Sequence, residues 1–560
     1  MVFFLISSMH LLSKYMLDSR GKDFWIAFLP NYHNNQRNFD DRLRLGDSLY
    51  IFINCDKPTS GTIEYFDRNN VKYTENFSIT NPKEMYIFKL SHYDYEPIGW
   101  NYSGSFPSVN ECEKITNLAF HVTSNDDVAV YAHSQAKTTS DAFLVFPTDV
   151  LGKEYVVISY NSDGTYNGTA LEISSTPSQF IIVSTEDSNE VIIKPSAPTK
   201  YNGLKEQKVL LGKGQVYLVQ ADITPGNLQA DMTGSVVESK KPIALFCGHQ
   251  RAVLPIAYKG SLMSRDILIE QIPPKVTWGQ NAFLVPYVHS TGATTIGSDI
   301  FRIVSASDGN EIKIDDKVVA TLDKGKFYEG NLTKAAVVTA NSPILVAQYK
   351  KTSQEFTNEQ KNSDPFIMIA SPKEQFLKSY RFINVQAFEY DEFAEDFFKV
   401  YNEHYVTAVV PDVAINSLTI DGAPVSPSAF TSISNSGFSY GHLTVAEGVH
   451  EMKCDREFGI LIYGYGIANS YGYVGGMSFR PIDPAPVILV SADCYKIAGR
   501  ITDSTVFDSG LTEVLAPEEF RENVSVSIGS FQQQADAATF EAKLIDRKST
   551  RLNSSHRIRS

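Results

Sequence analysis

One short segment recurs four times in this chain, and its spacing limits the fold to a run of similar β units. The copies are Asp127-Val-Ala-Val-Tyr-Ala132, Pro242-Ile-Ala-Leu-Phe-Cys247, Pro343-Ile-Leu-Val-Ala-Gln348 and Gly459-Ile-Leu-Ile-Tyr-Gly464. Starting at 127, 242, 343 and 459, they lie 115, 101 and 116 residues apart, the length of one β-sandwich. Three copies are followed by a second shared stretch, at Asp141–Pro147, Asp266–Pro273 and Asp364–Pro372. Each then runs on to an aromatic strand, at Tyr155, Ala282–Val285 and Tyr380–Ile383. The fold class expected is all-β: tandem β-sandwich-like repeats of about 100–116 residues with few helices. An extended array is the natural reading. A closed propeller-like arrangement is less expected, because blades usually repeat at ~40–50 residues.

On this reading repeat 1 spans 21–150, repeat 2 151–285, repeat 3 286–385 and repeat 4 386–480. A Pro-rich linker follows at 481–486, and a further β module begins at 487–545. Composition agrees: 29 Tyr and 34 Phe among 560 residues favour strands. Local turn chemistry agrees as well. Lys213-Gly214 and Lys324-Gly325 each precede a Tyr-containing strand and need positive φ at glycine, and Asp421-Gly422 reads as a hairpin turn. Glu389–Phe398 is the one candidate helix, since Phe393, Phe397 and Phe398 have helical spacing.

The two ends read differently from the middle. Residues 1–20 read as a degraded signal peptide or upstream sequence, and 546–560 as a translated sequencing adapter, so the chain is expected to be a fragment. The formal charge is −14, and −18 once that basic tail is set aside. Nucleic acid is a poor partner for such a chain, because phosphate contacts need clustered Lys and Arg. No run of 18 apolar residues occurs, so no membrane-spanning helix is expected.

Candidate chemistry is thin. Gly437-Phe-Ser439-Tyr-Gly441 matches a nucleophile-elbow pattern, but the residues that follow continue a strand instead of starting a helix. Cys247 stands close to His249 and Arg251, which leaves a thiol nucleophile open. However, other copies carry small residues at or beside its position, Ala132, Ala347 and Gly464, so structural packing is the simpler reading. His249 and Arg251 then remain weak candidates for binding residues past the strand end. The acidic run Glu389, Asp391, Glu392, Glu395 and Asp396 does not fit an EF-hand, so no metal site is assigned. No cofactor motif is present. Of five cysteines, Cys55 and Cys112 share the first repeat and could form a disulfide, stabilising it by roughly 4 kcal/mol. Glycosylation sequons stand at Asn76, Asn101, Asn167, Asn331 and Asn523.

Three segments carry a family resemblance: Gly21-Lys-Asp-Phe-Trp-Ile-Ala-Phe28, Val122–Tyr131 with Phe143–Pro147, and Val237–His249. Together they resemble the IgG Fc-binding protein N-terminal domain family, across roughly Gly21–Phe479. The resemblance implies a secreted or cell-surface, non-enzymatic protein that binds an extracellular protein or glycoprotein. It implies immunoglobulin Fc as partner only for the mucus-associated vertebrate members. No binding residues transfer from the family to positions here. Glycan binding is the alternative, and a hydrolase using Ser439 or Cys247 the remote one.

Overall fold

The repeated segments are continuous apolar runs because each forms a strand paired along both edges and buried on both faces, where alternation has no purpose. They lie in the strands Phe120–Ala136, Ile243–Ala252, Ile344–Tyr349 and Val449–Gly466. Each pairs antiparallel with the strand that follows it: Thr139–Val145, Asp266–Gln271, Ile367–Ile369 and Asn469–Val474. On their other edges lie Ser48–Cys55, Ser178–Ser184, Asp299–Ser305 and Tyr401–Pro411. The second shared stretch is therefore the closing strand of each repeat. The fourth repeat has one as well, in a sequence too altered to recognise.

The computed structural model describes residues 17–32, 47–100, 110–172, 174–258, 264–288, 299–352, 364–391 and 394–480. It also describes the strand backbones of 487–492, 496–502, 524–528 and 537–544. Two compact bodies result, Asp18–Ile482 and a smaller one that includes Asp483–Ser560. The smaller body holds a four-stranded antiparallel sheet, ordered Val487–Ala492, Lys496–Thr502, Ala537–Leu544, Val524–Ile528.

In the larger body the second and third repeats are two-sheet sandwiches. Repeat 2 has a five-stranded and a four-stranded sheet, and repeat 3 has two sheets of four. The third core is built from Leu284, Phe301, Ile303, Ile312, Val338 and Val346. Asn281–Leu284 and Leu377–Ile383 pair within the sheets of the repeats that follow them. Conversely, Ile115–Thr116 leaves the first repeat and adds an edge strand to the second.

The repeats are not strung out. Thr139–Val145 packs against both Asp266–Gln271 and Asn469–Val474, and Ile367–Ile369 packs against the same two strands. The four closing strands therefore meet about one centre, and the array is a closed ring of four β repeats. The ring closes where repeat 4 returns to repeat 1, through Phe146 against Phe479 and Tyr131 against Tyr473 at centroid distances of 4.7 and 5.1 Å.

Local turn expectations hold. Gly214 and Gly325 both have φ +74°, and Asp421-Gly422 turns with φ of 51° and 79°. The helix over Glu389–Phe398 is not formed. Phe388–Asp391 and Asp396–Lys399 make a hairpin instead. Phe397 and Phe398 are exposed, so no core face exists to receive a helical stripe, and Tyr390 meets Phe397 across the strands at 5.2 Å. Glu389 faces inward and accepts from Asn469, Asp391 and Asp396 sit opposite each other, and Glu392 lies outside the described residues. The Cys55–Cys112 bridge is not formed either. Both are free buried thiols: Cys55 ends the strand Ser48–Cys55, whereas Cys112 bridges by its backbone to Leu218 of the second repeat.

Candidate functional site

Ser439 lies within the strand Phe438–Thr444, as its neighbours in sequence imply, and not at an elbow. Its hydroxyl donates to Asp412 Oδ1 at 2.6 Å. His442 is spent elsewhere, with Nδ1 2.7 Å from Thr407 Oγ1. A serine whose proton is held by a carboxylate, with no imidazole on it, is not an activated nucleophile. Cys247 is fully buried and burial raises its thiol pKa, which is the opposite of a reactive cysteine.

His249 is also fully buried, and desolvation lowers it to about 4. Its Nδ1 accepts from the Arg251 backbone at 3.0 Å, so it shapes the strand end and cannot touch a partner. Arg251 is half-buried, with its guanidinium 4.7 Å from the Tyr32 ring centroid. Asn76, Asn167 and Asn331 are exposed, while Asn101 and Asn523 lie outside the described residues.

The surface best built for contact lies where the first two repeats join, and it involves residues the sequence did not single out. Trp100 and Tyr201 meet edge to face at 6.0 Å, and Lys200 Nζ sits 4.4 Å from the Trp100 ring while paired to Asp222 at 2.7 Å. Tyr201 is 52% exposed, yet Asn110 holds its hydroxyl at 3.0 Å and Glu113 accepts from its backbone N–H at 2.9 Å. Leu204 beside it is 63% exposed. An exposed ring already fixed in place loses little rotamer freedom on binding, which is what interface anchors require.

A polar cleft of about 280 Å³ adjoins this patch, lined by Asp67, Arg68, Asn70, Lys114, Asn117 and Gln215 among others. Lys114 links the two features by donating to the Asn110 carbonyl at 2.8 Å. Inside the cleft Arg68 is ion-paired with Glu111, and Asn117 donates to Asn70 at 2.9 Å. At its edge Thr116 Oγ1 is buried with no partner. Sequence reading could not find the site, because Trp100, Asn110 and Tyr201 come together only when Ile115–Thr116 joins the second repeat.

The fold defines an all-β, four-repeat protein, with no nucleophile–base pair assembled at Ser439 or Cys247. More particularly, the chain belongs to the family described as IgGFc binding protein, whose model matches residues 141–464. No curated protein matches the chain. Among solved structures, an anti-sigma factor domain-containing protein from Clostridium clariflavum shares 10% identity over 75% of this chain and 98% of that one. Its TM-score of 0.10 carries no argument. Among the described residues no helix is long and apolar enough to cross a membrane.

Proposed function

We propose that this chain is a non-enzymatic secreted or cell-surface protein that binds another extracellular protein or glycoprotein, using the Trp100–Tyr201 surface as its anchor. Membership of the IgGFc binding family carries the reading, and the pre-ordered exposed Tyr201 ring selects the surface. Immunoglobulin Fc is the first partner to try. Fc is passed over surface-immobilised full-length protein, with Trp100→Ala and Tyr201→Ala in parallel. Binding that drops at least tenfold in either variant, with folding intact, supports the reading. Unchanged binding in both moves the site elsewhere.

Glycan binding is the second reading, favoured by the unpartnered Thr116 hydroxyl beside a cleft in which Arg68 and Glu111 pair with each other and Lys114 donates to a backbone carbonyl. Such a site suits a neutral polyhydroxylated ligand. A glycan array run with wild type and Tyr201→Ala separates it from the protein-binding reading. Generic ester and peptide probes test the hydrolase alternative, for which Ser439 and Cys247 have poor surroundings.

A further inference from the structure

Where the four closing strands meet, the core is acidic. Asp141, Asp266 and Glu270 are fully buried and Asp364 nearly so. Asp141 accepts backbone N–H groups at its own Ala142, at Ile269 of the second repeat and at Gly472 of the fourth, at 2.8, 3.2 and 3.3 Å. It accepts from Ile367 of the third as well, although burial still pushes this carboxyl well above its usual range. One carboxylate is thus bonded to all four closing strands, and both its oxygens face donors.

Asp266 and Glu270 are arranged differently. Asp266 Oδ1 accepts from Ser140 and Ile267, while its Oδ2 has no partner. Glu270 Oε1 accepts from Ile369 at 3.3 Å, while its Oε2 has no partner. Each acid therefore has one oxygen serving a neighbouring strand and one without a hydrogen bond of normal geometry, and the nearby Thr139 hydroxyl at Asp266 and Gln271 N–H at Glu270 do not offset the burial.

The surrounding charges do not balance these acids. Asp266 faces Asp364 and Asp141, and Glu270 faces Asp141. Tyr401 and Tyr287, both kept protonated by burial, face the same carboxyls. His133 reaches Tyr401 at 2.8 Å and is held neutral by desolvation. The cation here is Lys350, set against Asp299 and Asp364 with Lys351 beside it. Four carboxyls packed together away from water cannot all ionise. Nor, among the described residues, do three His, Cys, Asp or Glu side chains converge to hold a metal ion.

We propose that the centre of the ring is a proton-held clasp: Asp266 and Glu270 keep the four repeats closed while they carry protons, and the ring loosens when they lose them. A proton on the unpartnered oxygen cancels the charge and leaves the other oxygen free to accept its N–H.

Burial, with the Asp364 and Asp141 charges on Asp266 and the Asp141 charge on Glu270, places both carboxyls well above their usual range. The folded state therefore binds these protons more tightly than the unfolded one. Their contribution is complete below about pH 4 and is lost as pH rises through the folded values. The buried neutral histidines 133, 249, 404 and 442 act in the opposite direction, but only below about 6.5. Lys350, lowered to about 8, enters above that value. Asp299, Asp149 and Glu389, raised by burial to about 6, and Asp141, raised further, act in the same direction as the clasp but in wild type and variants alike, so the two are compared over pH 6.5–8. His92, raised beside Glu96, contributes there equally in wild type and variants.

The test is equilibrium denaturant unfolding of the full-length chain at several pH values across that window, for wild type and Asp266→Asn/Glu270→Gln. Each amide mimics a protonated acid. Wild type should lose folded-to-unfolded ratio with rising pH more steeply than the double variant, by up to about tenfold per pH unit for each proton. Parallel slopes overturn the proposal. An independent readout is infrared: wild type at pH 7 should show the carbonyl band of buried protonated carboxylic acids, weaker in Asp266→Asn/Glu270→Gln. Absence of that band overturns it equally.

Discussion

Arg302 Nη1 lies 2.8 Å from Asp231 Oδ2, across the junction between the third repeat and the second. The guanidinium is 1% exposed and also donates to the Ser159 carbonyl, Thr233 and Asn161, each within 2.9 Å. Tyr160 and Phe327 flank it at 4.4 and 4.6 Å. A fork with this many fixed acceptors joins two sandwiches that share little sheet. Arg302→Ala leaves Asp231 and Glu329 without their cation and should cost about 3–5 kcal/mol in denaturant unfolding. Arg302→Lys should recover only part of that, because an ammonium cannot match the fork.

Asp141→Asn should destabilise at every pH, by about 2–3 kcal/mol, because its amide would aim N–H at backbone donors already bonded to Asp141. This distinguishes Asp141 from Asp266 and Glu270, whose amide variants are tolerated if the clasp carries protons. Denaturation midpoints at pH 6 and pH 8 measure the difference.

Tyr201→Ala removes an exposed ring and should shift stability by no more than about 0.5 kcal/mol, while weakening partner binding by more than about 1 kcal/mol. Thermal melts and titration of the same preparations separate the two effects.

His249 is lowered to about 4 by burial, whereas the unfolded chain takes its proton near 6.5. Its contribution is therefore present above pH 6.5 and lost as pH falls towards 4, to a maximum of about 3 kcal/mol. A His249→Gln variant should show an acid limb shallower by one proton between those values.

Both Cys55 and Cys112 should alkylate in denaturant without reductant, as free thiols do. Peptide mapping that finds the pair blocked until reduction would restore the disulfide.

Much of the architecture was legible locally. The four apolar runs, the Lys-Gly turns and the Asp421-Gly422 hairpin depend on residues adjacent in sequence, where backbone preference and burial on both faces leave few choices. At Glu389–Phe398 the same reasoning failed, because aromatic residues at helical spacing also suit a two-stranded ribbon and only neighbouring surfaces decide between them. Likewise, His249 looked like a loop contact until the strand Ile243–Ala252 extended past it and enclosed it.

By itself, then, the sequence determined an all-β chain of four similar repeats and the family it belongs to, since periodicity and turn chemistry are short-range properties. Tertiary structure alone decided that the repeats close into a ring, that Asp141, Asp266 and Glu270 share its centre, and that Trp100 meets Tyr201 where the first two repeats join. Those contacts join residues about a hundred or more positions apart, and their energies come from desolvation and packing that no local pattern encodes.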